Sequence, residues 1–120
     1  MPGEDTRCLL PAVLIVAAQP LVAQDIALTV SEEYPDAQII VAASMDEAIS
    51  AVAGFATIAL AMIEAEEAAF GVSPLMAALT AKNARVCLIG ARSGQRWPTL
   101  PMPFSTADLV MALHAVAPPP

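Results

Sequence analysis

An α/β domain, with helices on both faces of a parallel sheet, is the fold class this sequence predicts. Three observations carry that expectation. Short, continuous apolar runs recur at 13–16 (VLIV), 38–42 (QIIVA), 58–63 (IALAMI) and 86–89 (VCLI). Strands buried on both faces read in this way, without polar alternation. A stretch with helical start signals stands between successive runs, and strands alternating with helices imply parallel pairing through right-handed crossovers. Finally, the chain is 58% hydrophobic but only 4% aromatic, so Ala, Val, Leu and Ile must fill the core.

Each element follows from local chemistry. Residues 1–11 are a lead-in ending at Pro11. After the first strand, Gln19-Pro20 opens a helix with Pro in its first turn, where the missing N–H costs nothing. Val22, Ile26 and Val30 recur at i, i+4 along it, and Tyr34-Pro35 ends it. The second strand is followed by Ser44 and, three residues on, Glu47, a capping box. Ala48, Ile49 and Val52 give that helix its buried side, and Gly54 stops it. The third strand leads into an acidic loop with Glu64, Glu66 and Glu67. Ser73-Pro74 combines a cap with Pro at N1. Leu75, Ala78 and Leu79 turn inward, and Asn83 closes the helix.

The fourth strand ends at a run of turn formers, 90–98 (GARSGQRWP). A short fifth strand fits Thr99-Leu100. Ser105 and Asp108 form a second capping pair before a helix carrying Leu109, Leu113 and Val116. Residues 118–120 are a proline tail with no packing role, so the domain is expected over 12–117. Sites in such sheets lie at the carboxyl ends of the strands, here just after Val16, Ile63, Ile89 and Leu100.

Charge excludes several functions. The net charge is −7, with five Lys and Arg. A basic footprint for nucleic acid is absent, and an anionic membrane surface is disfavoured. The apolar stretch at 8–23 follows Glu4 and Asp5 as well as Arg7 and is interrupted by Pro11, Gln19 and Pro20. It matches neither a signal peptide nor a membrane span, so a cytoplasmic protein is expected. Cys8 and Cys87 make no disulfide framework and are expected as free thiols, with Cys87 a small core residue. His114 has no second ligand at metal spacing and is expected at a helix surface or end.

VLIVAAQPLVAQDIALTV resembles the opening of a response-regulator receiver domain, ASMDEAI its second-helix start, and LPMPFSTADLVMAL its fifth strand and last helix. The resemblance spans roughly residues 12–116. It implies a three-layer α-β-α sandwich of the flavodoxin-like kind, strand order 2-1-3-4-5, and a place in two-component signalling and phosphorelay. In that family a carboxylate pair after the first strand holds Mg²⁺, an Asp after the third accepts the phosphoryl group, and a Ser or Thr follows the fourth. A Lys before Pro-Phe neutralises the charge that develops.

This chain departs at nearly every position. Ala17-Ala18 stand for the acidic pair, Met102 for the Lys, and Gly90, or Ile89 one position earlier, for the hydroxyl residue. Counting back from Ser73-Pro74 puts Glu64 at the phosphoacceptor position; counting by strand length puts Ala61 there. Glu64 is preferred because it follows the apolar run. It either mimics an aspartyl phosphate or is a solvated carboxylate beside Glu66 and Glu67. No metal, no cofactor and no enzymatic activity are expected.

The 90–98 segment is too short for the family's fourth helix and its connections. That helix is expected to be missing or reduced to a turn, uncovering Trp97, Leu100 and Met102. Arg92, Arg96, Trp97 and Leu100 then form a candidate interface, with Trp97 itself read first as core or loop packing and second as an interface anchor. Arg85, Arg92 and Arg96 are three of the five basic residues, read first as a solvated rim and second as a contact for an acidic partner or an anion. The expected function is that of a pseudo-receiver acting through protein–protein contact with a histidine kinase, a regulator or its own copy as a homodimer. The alternative is a small-ligand or anion binder built on Glu64, Glu66, Ser73 and Arg92, which requires those groups to converge.

Overall fold

The computed structural model describes residues 12–91 and 96–116. The lead-in at 1–11, Arg92 and the proline tail lie outside the described residues. Five strands form one parallel sheet in the order β2-β1-β3-β4-β5: β1 (Ala12–Val16), β2 (Gln38–Ala42), β3 (Leu60–Glu64), β4 (Arg85–Ile89) and β5 (Thr99–Leu100). The helices are α1 (Pro20–Glu33), α2 (Met45–Val52), α3 (Glu67–Gly71), α4 (Pro74–Ala81) and α5 (Thr106–Val116). This is the expected α/β sandwich with the expected strand order.

The period-2 geometry of the strands sorts the apolar runs into two cores. Leu14, Val16, Ala61, Ile63, Val86 and Leu88 face α2, α3 and α4. Val13, Ile15, Leu60, Met62, Cys87 and Ile89 face α1 and α5. All five residues of β1 are buried, as a central strand requires. On α1 the buried residues are Ala23, Ile26, Thr29 and Val30; Val22 is only half-buried.

The caps hold the helices where the sequence places them. Ser44 Oγ accepts the Glu47 N–H at 3.1 Å, and the Glu47 carboxylate reaches back to the Ala43 N–H at 3.0 Å. At α5, Ser105 Oγ accepts the Asp108 N–H at 3.1 Å, and the Asp108 carboxylate accepts the Ser105 N–H at 3.0 Å. Asn83 takes a left-handed backbone (φ 61°) where it closes α4.

Three expectations change. The third strand begins at Leu60, not Ile58, and runs through Glu64. Ile58 is buried but bonds to the Lys82 carbonyl outside the ladder, so its apolarity reports burial rather than pairing. The acidic loop is partly helical: Glu67 begins α3, whose Phe70 is fully buried.

The third change concerns the segment before β5. None of its described residues is helical, but the surface is not laid bare as expected. Leu100 is buried in the α1/α5 core. Trp97 is half-buried, with its ring edge-on to Phe70 (centroids 4.9 Å apart, 78°). Only Met102 remains exposed, at 41%. No helix among the described residues is long and apolar enough to cross a membrane.

Candidate functional site

Parallel pairing brings four chain segments to one end of the sheet. Val16 is level with Ile63 and Glu64 with Ile89, so Ala17 and Glu64 lie level where their strands end, and Gly90 follows one residue beyond. Ala17 continues the ladder, donating its N–H to the Ala42 carbonyl at 3.1 Å, and is buried. Ala18 leaves the ladder, and its N–H donates to Oε1 of Glu64 at 3.0 Å. The carboxylate of the preferred position therefore bridges β3 to the β1–α1 turn. A charged acceptor on a backbone N–H is a stronger bond than a neutral pair. Ala61, the other choice, is fully buried inside β3 and paired with Leu14 and Val86.

Gly90 follows β4 with φ +78°, a left-handed conformation that favours glycine. Its N–H donates to the Leu100 carbonyl at 2.8 Å, which aligns β5. A Cβ at Gly90 would stand 3.7 Å from both Cγ and Sδ of Met102. The thioether side chain thus lies over the place where a hydroxyl residue would project. The Met102–Pro103 peptide is cis.

These groups do not fit Mg²⁺. A hard divalent cation takes about six oxygen ligands. The side chains of Ala17, Ala18, Gly90 and Met102 offer none, and one oxygen of Glu64 is already engaged. Among the described residues no group of three or more His, Cys, Asp or Glu is placed to hold a metal ion.

Two residues of the alternative site, Glu64 and Ser73, have other work, and Arg92 lies outside the described residues. The Ser73 hydroxyl accepts the Met76 N–H at 3.2 Å and donates to the Phe70 carbonyl at 2.7 Å, fastening α3 to α4. Glu67, beside Glu66, accepts the N–H groups of Arg96 (2.9 Å) and Trp97 (3.4 Å) on one carboxylate oxygen. The Arg96 guanidinium lies over the Trp97 ring, 4.3 Å from its centroid, a cation–π contact. Arg85 points instead to the Val116 carbonyl (3.4 Å). His114 pairs with Glu33 across α5 and α1 at 2.6 Å. Burial pushes the Cys87 thiol up to about 11.

Two features of the candidate site and its surroundings escaped the sequence. The Ala18 N–H has no signature, because an Ala-Ala pair reads only as lost carboxylates. Glu67 as the clamp on the 96–97 backbone was hidden in a charge run; Phe70, three residues on, was the available signal of a helix there.

No protein-family model matches the chain, and no curated protein does. Solved structures do. One is the crystal structure of the phosphorylated P1 domain of CheA3 in complex with CheY6 from R. sphaeroides. It has a TM-score of 0.65 and 20% identity, over 88% of this chain and 94% of the matched chain. Another is the solution structure of SdrG from Sphingomonas melonis Fr1, with a TM-score of 0.65 and 22% identity, over 88% and 95%. At this identity the likeness is one of fold. The chain shares the fold of these structures across nearly their whole length.

Proposed function

We propose that this chain is a pseudo-receiver: a cytoplasmic signalling domain that is not phosphorylated and works by contact with another protein. The observation that carries the reading is the bond between Glu64 and the Ala18 N–H. It places a fixed negative charge at the end of β3, beside two methyl side chains where a phosphoryl-transfer site needs a metal. A Lys is likewise absent, because Met102 stands in its place and lies over Gly90. The similar structure from R. sphaeroides is itself a complex of two proteins, which supports a protein partner such as a histidine kinase, a regulator or a second copy. The ligand-binding alternative is less well supported, since the Ser73 hydroxyl is spent on a helix cap.

The test is incubation with Mg²⁺ and acetyl phosphate, followed by intact-mass measurement. The expected mass is unchanged. An acid-labile phosphoryl adduct on Glu64 would overturn the reading.

A further inference from the structure

The outer edge of β2 combines an open ladder with an uncharged strand. Among the described residues nothing pairs with that edge, because β2 is the last strand of the sheet. Ala42 gives its carbonyl to Ala17, the residue that follows β1. In a parallel ladder alternate residues bond to the same neighbour, so Gln38, Ile40 and Ala42 serve β1, and Ile39 and Val41 direct their N–H and C=O groups outward. The opening is bounded on both sides. The Ala37 N–H is taken by the Tyr34 carbonyl at 3.0 Å, and the Ala43 N–H by the Glu47 carboxylate at 3.0 Å. What is left is a gap of two residues, with two donors and two acceptors.

Exposed edges are normally blunted by charge, proline or a bulge. This one has none of the three. The stretch from Ala37 to Met45 carries no charged residue and no proline. Pairing with β1 runs without interruption from Gln38 to Ala42. Val41 is 51% exposed, an apolar β-branched side chain at the rim. The charges stand just outside: exposed Asp36 before the strand, exposed Asp46 and Glu47 after it.

We propose that this edge accepts an extended strand from a partner protein, with an uncharged β-branched centre and Lys or Arg on both flanks. Main-chain bonds to Ile39 and Val41 supply the pairing, and the acidic ends supply complementarity. The acidic ends also argue against a second copy of this chain. An antiparallel two-fold pairing of β2 with itself would set Asp36 against Asp46 and Glu47 of the other copy. The proposal concerns a different surface from the Glu64 end of the sheet and stands whether or not that end accepts a phosphoryl group.

The test is a titration of the isotope-labelled chain with two synthetic peptides that share a Val-Thr-Val-Thr-Val centre, one flanked by Lys pairs and one by Glu pairs. The expected result is saturable shifts of the Ile39 and Val41 amides with the Lys-flanked peptide. Binding of the Glu-flanked peptide should be about tenfold weaker or more. The exposed Val41→Lys substitution should abolish the shifts while the remaining spectrum stays folded. Shifts that map away from β2, equal binding of both peptides, or no shift with either would overturn the proposal. So would a chain that dimerises through β2 and becomes monomeric on Val41→Lys.

Discussion

Glu64 is one methylene longer than the aspartate that the receiver resemblance expects, and that extra reach brings Oε1 to the Ala18 N–H at 3.0 Å. The bond is partly solvated, so its net worth is about 0.5–1.5 kcal/mol. Glu64→Ala and Glu64→Asp should both lower stability by about that amount in urea unfolding. Glu64→Gln, which keeps an oxygen of the same reach, should cost less. The residue types at 17, 18, 64, 90 and 102 were all readable in the sequence, and so was the absence of carboxylate side chains at 17 and 18 and of a hydroxyl at 90. The acceptor role of Glu64 was not, because a backbone donor has no residue identity. Cys87 offers a second check at this scale. Its thiol is raised from 9.0 to about 11 by burial, so the folded chain holds that proton where the unfolded chain has released it. Its contribution to stability is complete below pH 9 and is lost as pH rises toward 11. Alkylation of Cys87 in the native protein at pH 8, followed by peptide mass mapping, should be slow, and fast in denaturant.

At the scale of elements, the remodelled 96–100 stretch is held by particular contacts rather than left open. Glu67 receives two backbone N–H groups from it, and Trp97 covers Phe70 at the β4–β5 end of the sheet. Trp97→Ala should cost about 3 kcal/mol, at the low end of the range for buried aromatics because the ring is half-exposed. Trp97→Phe should recover much of that loss. Ser73→Ala removes the N-cap of α4 and the tie to Phe70, and a loss of about 1 kcal/mol is expected, readable as a lower urea midpoint at constant slope. The helices α2 and α5 were legible because Ser with an acidic partner three residues on has a fixed geometric meaning, and α4 because Ser followed by Pro marks a cap and N1. α3 was not, since five residues are too few for a periodicity. The start of β3 was misplaced because Ile58 is buried without belonging to the ladder.

At the scale of the molecule, the five-stranded order β2-β1-β3-β4-β5 follows from crossover handedness and from apolar runs that two helical layers must cover. Topology was therefore the most legible property of the chain. The condition of its edges was not legible, because a strand at the rim and a strand inside a parallel sheet have similar composition. Val41 shows this: it lies in a continuous apolar run yet is 51% exposed. The net charge of −7 acts on the whole fold through self-repulsion, which salt screens. The Tm should rise by a few degrees between low and physiological ionic strength.

Glu64 at the end of the sheet makes a carboxylate–amide contact with Ala18, and an NMR titration with Mg²⁺ that follows the Ala17, Ala18, Glu64 and Gly90 amides tests most directly whether that contact leaves room for a cation. Only weak, non-saturating shifts are expected, no larger at these residues than at the surface carboxylates. Saturable shifts confined to Ala17, Ala18 and Glu64 would contradict that expectation.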